Sequence, residues 1–221
     1  MNRNLVVIDP AHGGGDGGAV LGDHVYEKDV TLEMATKLRV ALTAGGFTVL
    51  STRDSDTFNP PTADQRAEIA NRSHAVACIV LHATANGSGV HLYTSALQPP
   101  ADAATSGTDS SFAKSSAFVP IPWESAQVSS VRQSLRLAGV LQSALGATSF
   151  PVVVGREPVR PLDNMMCPAV AVELAPQAAS GGNATPVTDP EYQQRLVGAL
   201  TTALQSWRDQ VTPSAAQAEN R

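Results

Sequence analysis

Apolar residues recur along this chain with two periods, and the switches between them mark out its elements. Six short stretches are nearly continuous in apolar, often β-branched residues: the run from Val6, then 47–50, 76–81, 90–94, 151–154 and 169–173. Each has the length of a buried strand. Between them the period lengthens. Residues 29–43 place Val30, Met34, Leu38 and Leu42 on one helical face, with Asp29 as N-cap and Gly45-Gly46 as the left-handed stop. Thr62 and Gln65 form a capping box that opens a helix through Ile69 and Ala70 to about residue 73. Residues 125–145 align Val128, Val131, Leu135, Ala138 and Leu145, and a second capping box, Thr188 to Glu191, opens a last helix with Tyr192, Leu196, Leu200, Leu204 and Trp207.

Strands alternating with helices predict an α/β fold: a mostly parallel mixed sheet of about six strands, with helices on both faces, in a single domain. Only a few residues around Asn86-Gly87 join the third strand to the fourth, too few for a parallel crossover. That pair is therefore expected to be antiparallel and to supply the one reversed member of the sheet. Residues 96–122 lose all periodicity and read as an inserted loop or flap, while 212–221 have the composition of a frayed tail.

Composition narrows the classes. The 221 residues are 43% hydrophobic with a formal net charge of −5, which suits one domain with a sizeable core and argues against a nucleic-acid surface. No run approaches the roughly 18 apolar residues of a membrane span. Two cysteines, Cys78 and Cys167, give no disulfide framework, and their apolar surroundings read as those of small buried residues. Met1 stands almost directly on the first strand, so the chain is expected to be cytoplasmic or an exported protein without its leader.

The chemistry gathers at strand ends. The first strand stops at Asp9-Pro10, and His12 follows at the lip of a glycine-rich loop. Residues 13–18 spell a literal G-x-G-x-x-G, but Gly18 does not open a helix and Asp16 would set a carboxylate among phosphate donors. His82 ends the third strand as His12 ends the first, and Glu173 ends the last. In a mostly parallel sheet those ends share one edge, where open α/β sheets place their ligands. Glu27, at the foot of the first helix, can fold over the same edge. Two histidines and a carboxylate are the ligand set of a hydrolytic zinc site, and a second, non-ligating carboxylate would be its general base. The plainer alternative, surface histidines and a glutamate paired with Lys28, stays open on spacing alone. His24, His74 and His91 read as surface residues, and Asp9 and Asp16 as groups that orient the loop or a ligand.

Several motifs in order carry a resemblance: I-D-P-A-H-G-G-G-D-G-G-A with E-K-D-V-T-L, S-T-R-D at 51–54, Q-R-A-E-I-A-N at 65–71, I-V-L-H-A at 79–83 and C-P-A-V-A-V-E at 167–173. Together they resemble the zinc-dependent N-acetylmuramoyl-L-alanine amidases, the amidase-3 type of cell-wall hydrolase. The resemblance implies Zn2+ held by His12, Glu27 and His82, with Glu173 in the catalytic role. It also implies peptidoglycan or muropeptides as substrate, an extracytoplasmic place of action in periplasm or cell wall, and a catalytic domain over 1–211. No activating partner is named by these residues, and a monomer is expected. Arg156 and Arg160 are candidates to pair with substrate carboxylates, whereas Arg53 and Arg66 read as structural donors. Thr84 stands where the family usually has an amide side chain, and Leu174-Ala175-Pro176 replaces its usual continuation. Those departures leave open a same-fold hydrolase for a different amide; against the other alternative, a wall-binding module without turnover, stands the intact set of His12, Glu27, His82 and Glu173.

Overall fold

Nine-residue β1 (Asn2–Pro10) is an interior strand of the sheet, and its last five residues, Val6 to Pro10, are all buried. The computed structural model describes residues 2–99, 122–178 and 183–211, so most of the 96–122 segment and the 212–221 tail lie outside the described residues. In chain order β1 is followed by a small hairpin, β2 (Val20–Gly22) and β3 (Val25–Tyr26), then α1 (Glu27–Ala44), β4 (Thr48–Ser51) and α2 (Ala63–Ser73). β5 (Ala75–Ala83), β6 (Val90–Ser95), a 3-10 segment (Trp123–Ser130) leading into α3 (Val131–Ala147), β7 (Val152–Glu157), β8 (Ala169–Leu174) and α4 (Pro190–Val211) complete the domain.

The six-stranded sheet has the order β4-β1-β5-β8-β6-β7. β4, β1, β5 and β8 are mutually parallel, β6 runs antiparallel to β8, and β7 runs parallel to β6. The α/β class, the strands and the mixed sheet are as expected, but two strands are reversed rather than one. The expected neighbours β5 and β6 do not pair, because β8 lies between them. A short connection forbids a parallel pair without requiring that the two strands touch.

On one face α1, α3 and α4 bury a continuous core, including Ile8, Met34, Leu38, Ile79, Leu81, Leu141, Leu145, Leu200 and Trp207. On the other, α2 and the 158–168 connection cover a smaller cluster of Val7, Ala67, Ala70, Val80, Leu162, Met165 and Ala171. Among the described residues no helix is long and apolar enough to cross a membrane.

Local signals fare unevenly. The Thr62–Gln65 capping box forms as expected. Asp29 is not the N-cap of α1: the helix starts two residues earlier, at Glu27, because the β2–β3 hairpin delivers that residue and its N–H donates to the Ala19 carbonyl at 2.8 Å. Asp29 instead places its charge in the first turn, where the helix dipole favours it. At α4 the cap is Asp189, whose Oδ1 accepts from the Tyr192 N–H at 2.8 Å, with Pro190 in the first helical position. Cys78 and Cys167 are buried as expected, yet they are joined in a disulfide with a Cα–Cα distance of 6.1 Å across 89 residues. Register is the cause. Cys78 pairs with Ala169 across β5–β8, so Cys167 arrives just below it.

Candidate metal centre

The C-terminal ends of β1, β5 and β8 converge on one edge, and the chemistry-bearing residues stand there on the face that α2 covers. His12 follows β1 in a left-handed conformation (φ 63°), an uncommon backbone for a residue with a side chain. Two buried arginines hold it there. Arg53 donates to the carbonyls of Pro10, Ala11 and Lys28 at 2.9, 3.0 and 2.7 Å. Arg66 donates to the His12 carbonyl at 2.7 Å and to Asp9 Oδ1 at 2.9 Å, where the Thr52 hydroxyl also donates. Arg53 and Arg66 are thus the structural donors the sequence suggested: Arg53 ties the β1 end to the start of α1, and Arg66 ties it to α2.

Glu27 is the hub. Its carboxylate lies between the two histidines, 3.1 Å from His12 Nε2 and 2.8 Å from His82 Nδ1. It also accepts the backbone N–H groups of Ala19 at 2.9 Å and Ala83 at 3.1 Å. Burial alone would push this carboxyl up, but the bonds from His12 and His82, with those two N–H groups, reverse the effect and hold it well below the usual carboxylate range. The bond to Glu27 raises His12 to about 9 against the opposing effect of burial, with Asp16 adding to the rise. Asp16 accepts from His12 Nδ1 at 2.8 Å and is itself lowered, chiefly by that bond.

One donor atom from each of His12, Glu27 and His82 lies within 4.8 Å of the others, a grouping that can hold a metal ion. Three further observations fit a cation there. Two nitrogens and one carboxylate oxygen are a zinc-type donor set, with room for a further ligand. Each histidine turns one nitrogen to the same carboxylate, His12 through Nε2 and His82 through Nδ1, so the donor atoms face a common point. Gly18 keeps the space clear, since a Cβ on it would meet Glu27 Oε2 at 2.6 Å and His12 Cδ2 at 2.7 Å, and its φ of +65° suits glycine. Asp16 occupies Nδ1, the outer nitrogen of His12, so Nε2, the nitrogen turned toward Glu27, is the one that can ligate.

Two clefts meet at His82. One, of about 260 Å³, is lined by His12, Asp16, Arg66 and Arg160. The other, of about 250 Å³, is lined by Tyr93, Glu157 and Glu173. Glu173 pairs in register with His82 across β5–β8, so the two stand side by side. It is not in the metal-ligating group.

The profile of the family described as N-acetylmuramoyl-L-alanine amidase matches residues 6–206, nearly the whole chain. The chain belongs to that family. A germination-specific N-acetylmuramoyl-L-alanine amidase of Bacillus subtilis is 38% identical over 97 residues, which is 38% of this chain and 40% of that protein. The chain thus aligns with less than half the length of that curated relative. Among solved structures, the catalytic domain of the amidase CwlV from Bacillus (Paenibacillus) polymyxa var. colistinus shares the fold at TM-score 0.66 and 22% identity, covering 93% of this chain and 98% of that one. The amidase Ami1 from Mycobacterium smegmatis does so at TM-score 0.67 and 20% identity, covering 93% and 97%.

Within this amidase fold the structure gathers His12, Glu27, His82 and Glu173 at one edge, as the sequence suggested. The arginines separate. Arg160 lines the cleft beside His12, whereas Arg156 donates to the carbonyls of Ser95 and Leu97 at 3.2 and 2.6 Å. His91 is not the surface residue it seemed. It is part-buried, and its Nδ1 lies 2.8 Å from Glu173 Oε2. The alternation Val90-His91-Leu92-Tyr93 does put His91 on the face opposite the helix-covered core. Only the strand order reveals that Glu173 stands beside it.

Proposed function

We propose that this chain is a zinc-dependent N-acetylmuramoyl-L-alanine amidase, hydrolysing the amide between the lactyl group of N-acetylmuramic acid and the L-alanine of the peptidoglycan stem. The observation that carries the reading is the separate placement of two carboxylates: Glu27 sits between the two histidines, and Glu173 stands beside His82 outside that group. Family membership supplies the substrate class.

His12, Glu27 and His82 would hold the metal, which when bound supplies Lewis acidity for a carbonyl and a water acidified to a pKa around 7. Glu27, fixed by the Ala19 and Ala83 N–H groups, needs little reorganisation to ligate. Asp16 occupies Nδ1 of His12 and leaves Nε2 to ligate. Glu173 accepts a proton from the attacking water and returns it to the departing amine of L-alanine. The carbon–nitrogen bond breaks, leaving a carboxylate on the lactyl ether and a free amino terminus on the peptide. Arg160, in the cleft beside His12, pairs with a carboxylate of the stem. Arg156 instead secures the chain leaving β6.

An extracytoplasmic place of action agrees with the substrate and with the Cys78–Cys167 bond, since such bonds persist in oxidising compartments. The test is digestion of purified peptidoglycan with end-group analysis. Free N-terminal L-alanine without new reducing sugar ends is the expected product. New reducing ends alone would indicate a glycosidase, and new termini within the stem an endopeptidase.

A further inference from the structure

Three adjacent strands place three titratable side chains in one row. β5 and β8 pair His82 with Glu173, and β8 and β6 pair Glu173 with His91. Because β6 is reversed, His91 near its start lies at the same edge as the ends of β5 and β8. Glu173 therefore has a candidate metal ligand on one side and a second histidine on the other. His91 is not among the residues whose donor atoms gather at the metal centre.

The imidazole of His91 is held on several sides. Its Nδ1 is 2.8 Å from Glu173 Oε2, and its side chain is 16% exposed. The turn at Gly87 packs against the ring, where a Cβ would come within 3.0 Å of Cε1. Tyr93 meets it edge-on, with ring centroids 6.2 Å apart. An ionised carboxylate only accepts hydrogen bonds, so Nδ1 carries the proton in this contact.

We propose that His91 is a positioning residue for the amidase reaction: its Nδ1–H anchors Oε2 of Glu173, leaving Oε1 as the oxygen that exchanges a proton in the cleft beside His82. A glutamate at a strand end has three rotatable side-chain bonds, and one fixed oxygen removes most of that freedom. Misplacement of a catalytic group by about 1 Å can cost on the order of 10²-fold in rate, so a lost anchor shows in turnover rather than in binding. This inference rests on the proposed role of Glu173.

The test uses the zinc-loaded enzyme and four variants, His91→Leu, His91→Asn, Glu173→Gln and the double variant His91→Leu/Glu173→Gln. Asn offers an N–H close to where Nδ1 stands; Leu offers none. His91→Leu is expected to lower kcat by roughly 10- to 100-fold with KM and zinc content unchanged. His91→Asn should recover most of that loss, and His91→Leu should cost nothing further in the Glu173→Gln background. Should the Leu variant not fold, His91→Ala takes its place in both backgrounds. Near-normal kcat in His91→Leu, or an equal loss with and without Glu173, overturns the role of His91. Near-normal turnover in Glu173→Gln alone overturns instead the role of Glu173 on which it rests.

Discussion

Alternate residues of the same strands build two faces of very different character. Val6 and Ile8 of β1, Ala77, Ile79 and Leu81 of β5, Val170 and Val172 of β8 and Leu92 of β6 all point into the core under three helices. Their immediate neighbours include Asp9, Cys78, His82, Glu173, His91 and Tyr93, on the face that α2 and the 158–168 connection only partly cover. The first face is closed with hydrocarbon. The second is closed with a disulfide near its middle and left open at the C-terminal edge, where polar side chains occupy positions that a fuller cover would make apolar. The fold thus separates a face that stabilises from a face that carries the candidate site, with a one-residue step along each strand between them.

That separation can be broken from either side. His12→Ala is expected to have the largest effect on function, abolishing metal binding and reducing turnover to the metal-free background, as elemental analysis beside a digestion assay would show. The helix-covered face should be untouched, so circular dichroism of the variant should retain the wild-type helical signal. On that opposite face, Leu141→Ala should cost about 2–5 kcal/mol in stability, read by urea unfolding, yet leave kcat unchanged below the unfolding transition. A change in kcat there would mean that the two faces are coupled. Replacing both cysteines by serine, or reducing the bond, should cost about 2–4 kcal/mol. Metal content should survive, because the bridge lies several residues below the edge. Thr62→Ala, which removes one half of a capping box at the rim of the His12 cleft, should cost about 1 kcal/mol and mark the lower end of the scale.

The sequence reads well wherever a feature is local. Strand ends at His12, His82 and Glu173 are visible because apolar runs stop there, and Glu27 is visible because it stands between the glycine loop and the foot of the first helical period. Asp16 is four residues from His12 and reaches it within the loop. What depends on strand order is hidden. The insertion of β8 between β5 and β6 reverses a second strand, brings Cys167 beneath Cys78, and sets His91 against Glu173. No spacing along the chain encodes any of the three, since the partners lie 82 to 89 residues apart. The start of α1 is hidden for a related reason: the β2–β3 hairpin, too short to show a period, sets where the helix begins.

The central claim is that one carboxylate holds the metal and another handles the proton. Metal content and turnover, measured side by side in Glu27→Gln and Glu173→Gln, test it most directly. Glu173→Gln should retain wild-type zinc and lose about 10²-fold or more in rate, as the loss of an acid–base group typically costs. Glu27→Gln should lose the zinc itself. Loss of zinc from Glu173→Gln with retention in Glu27→Gln would exchange the two roles, and near-normal turnover in Glu173→Gln would leave that glutamate as no more than the polar end of a strand.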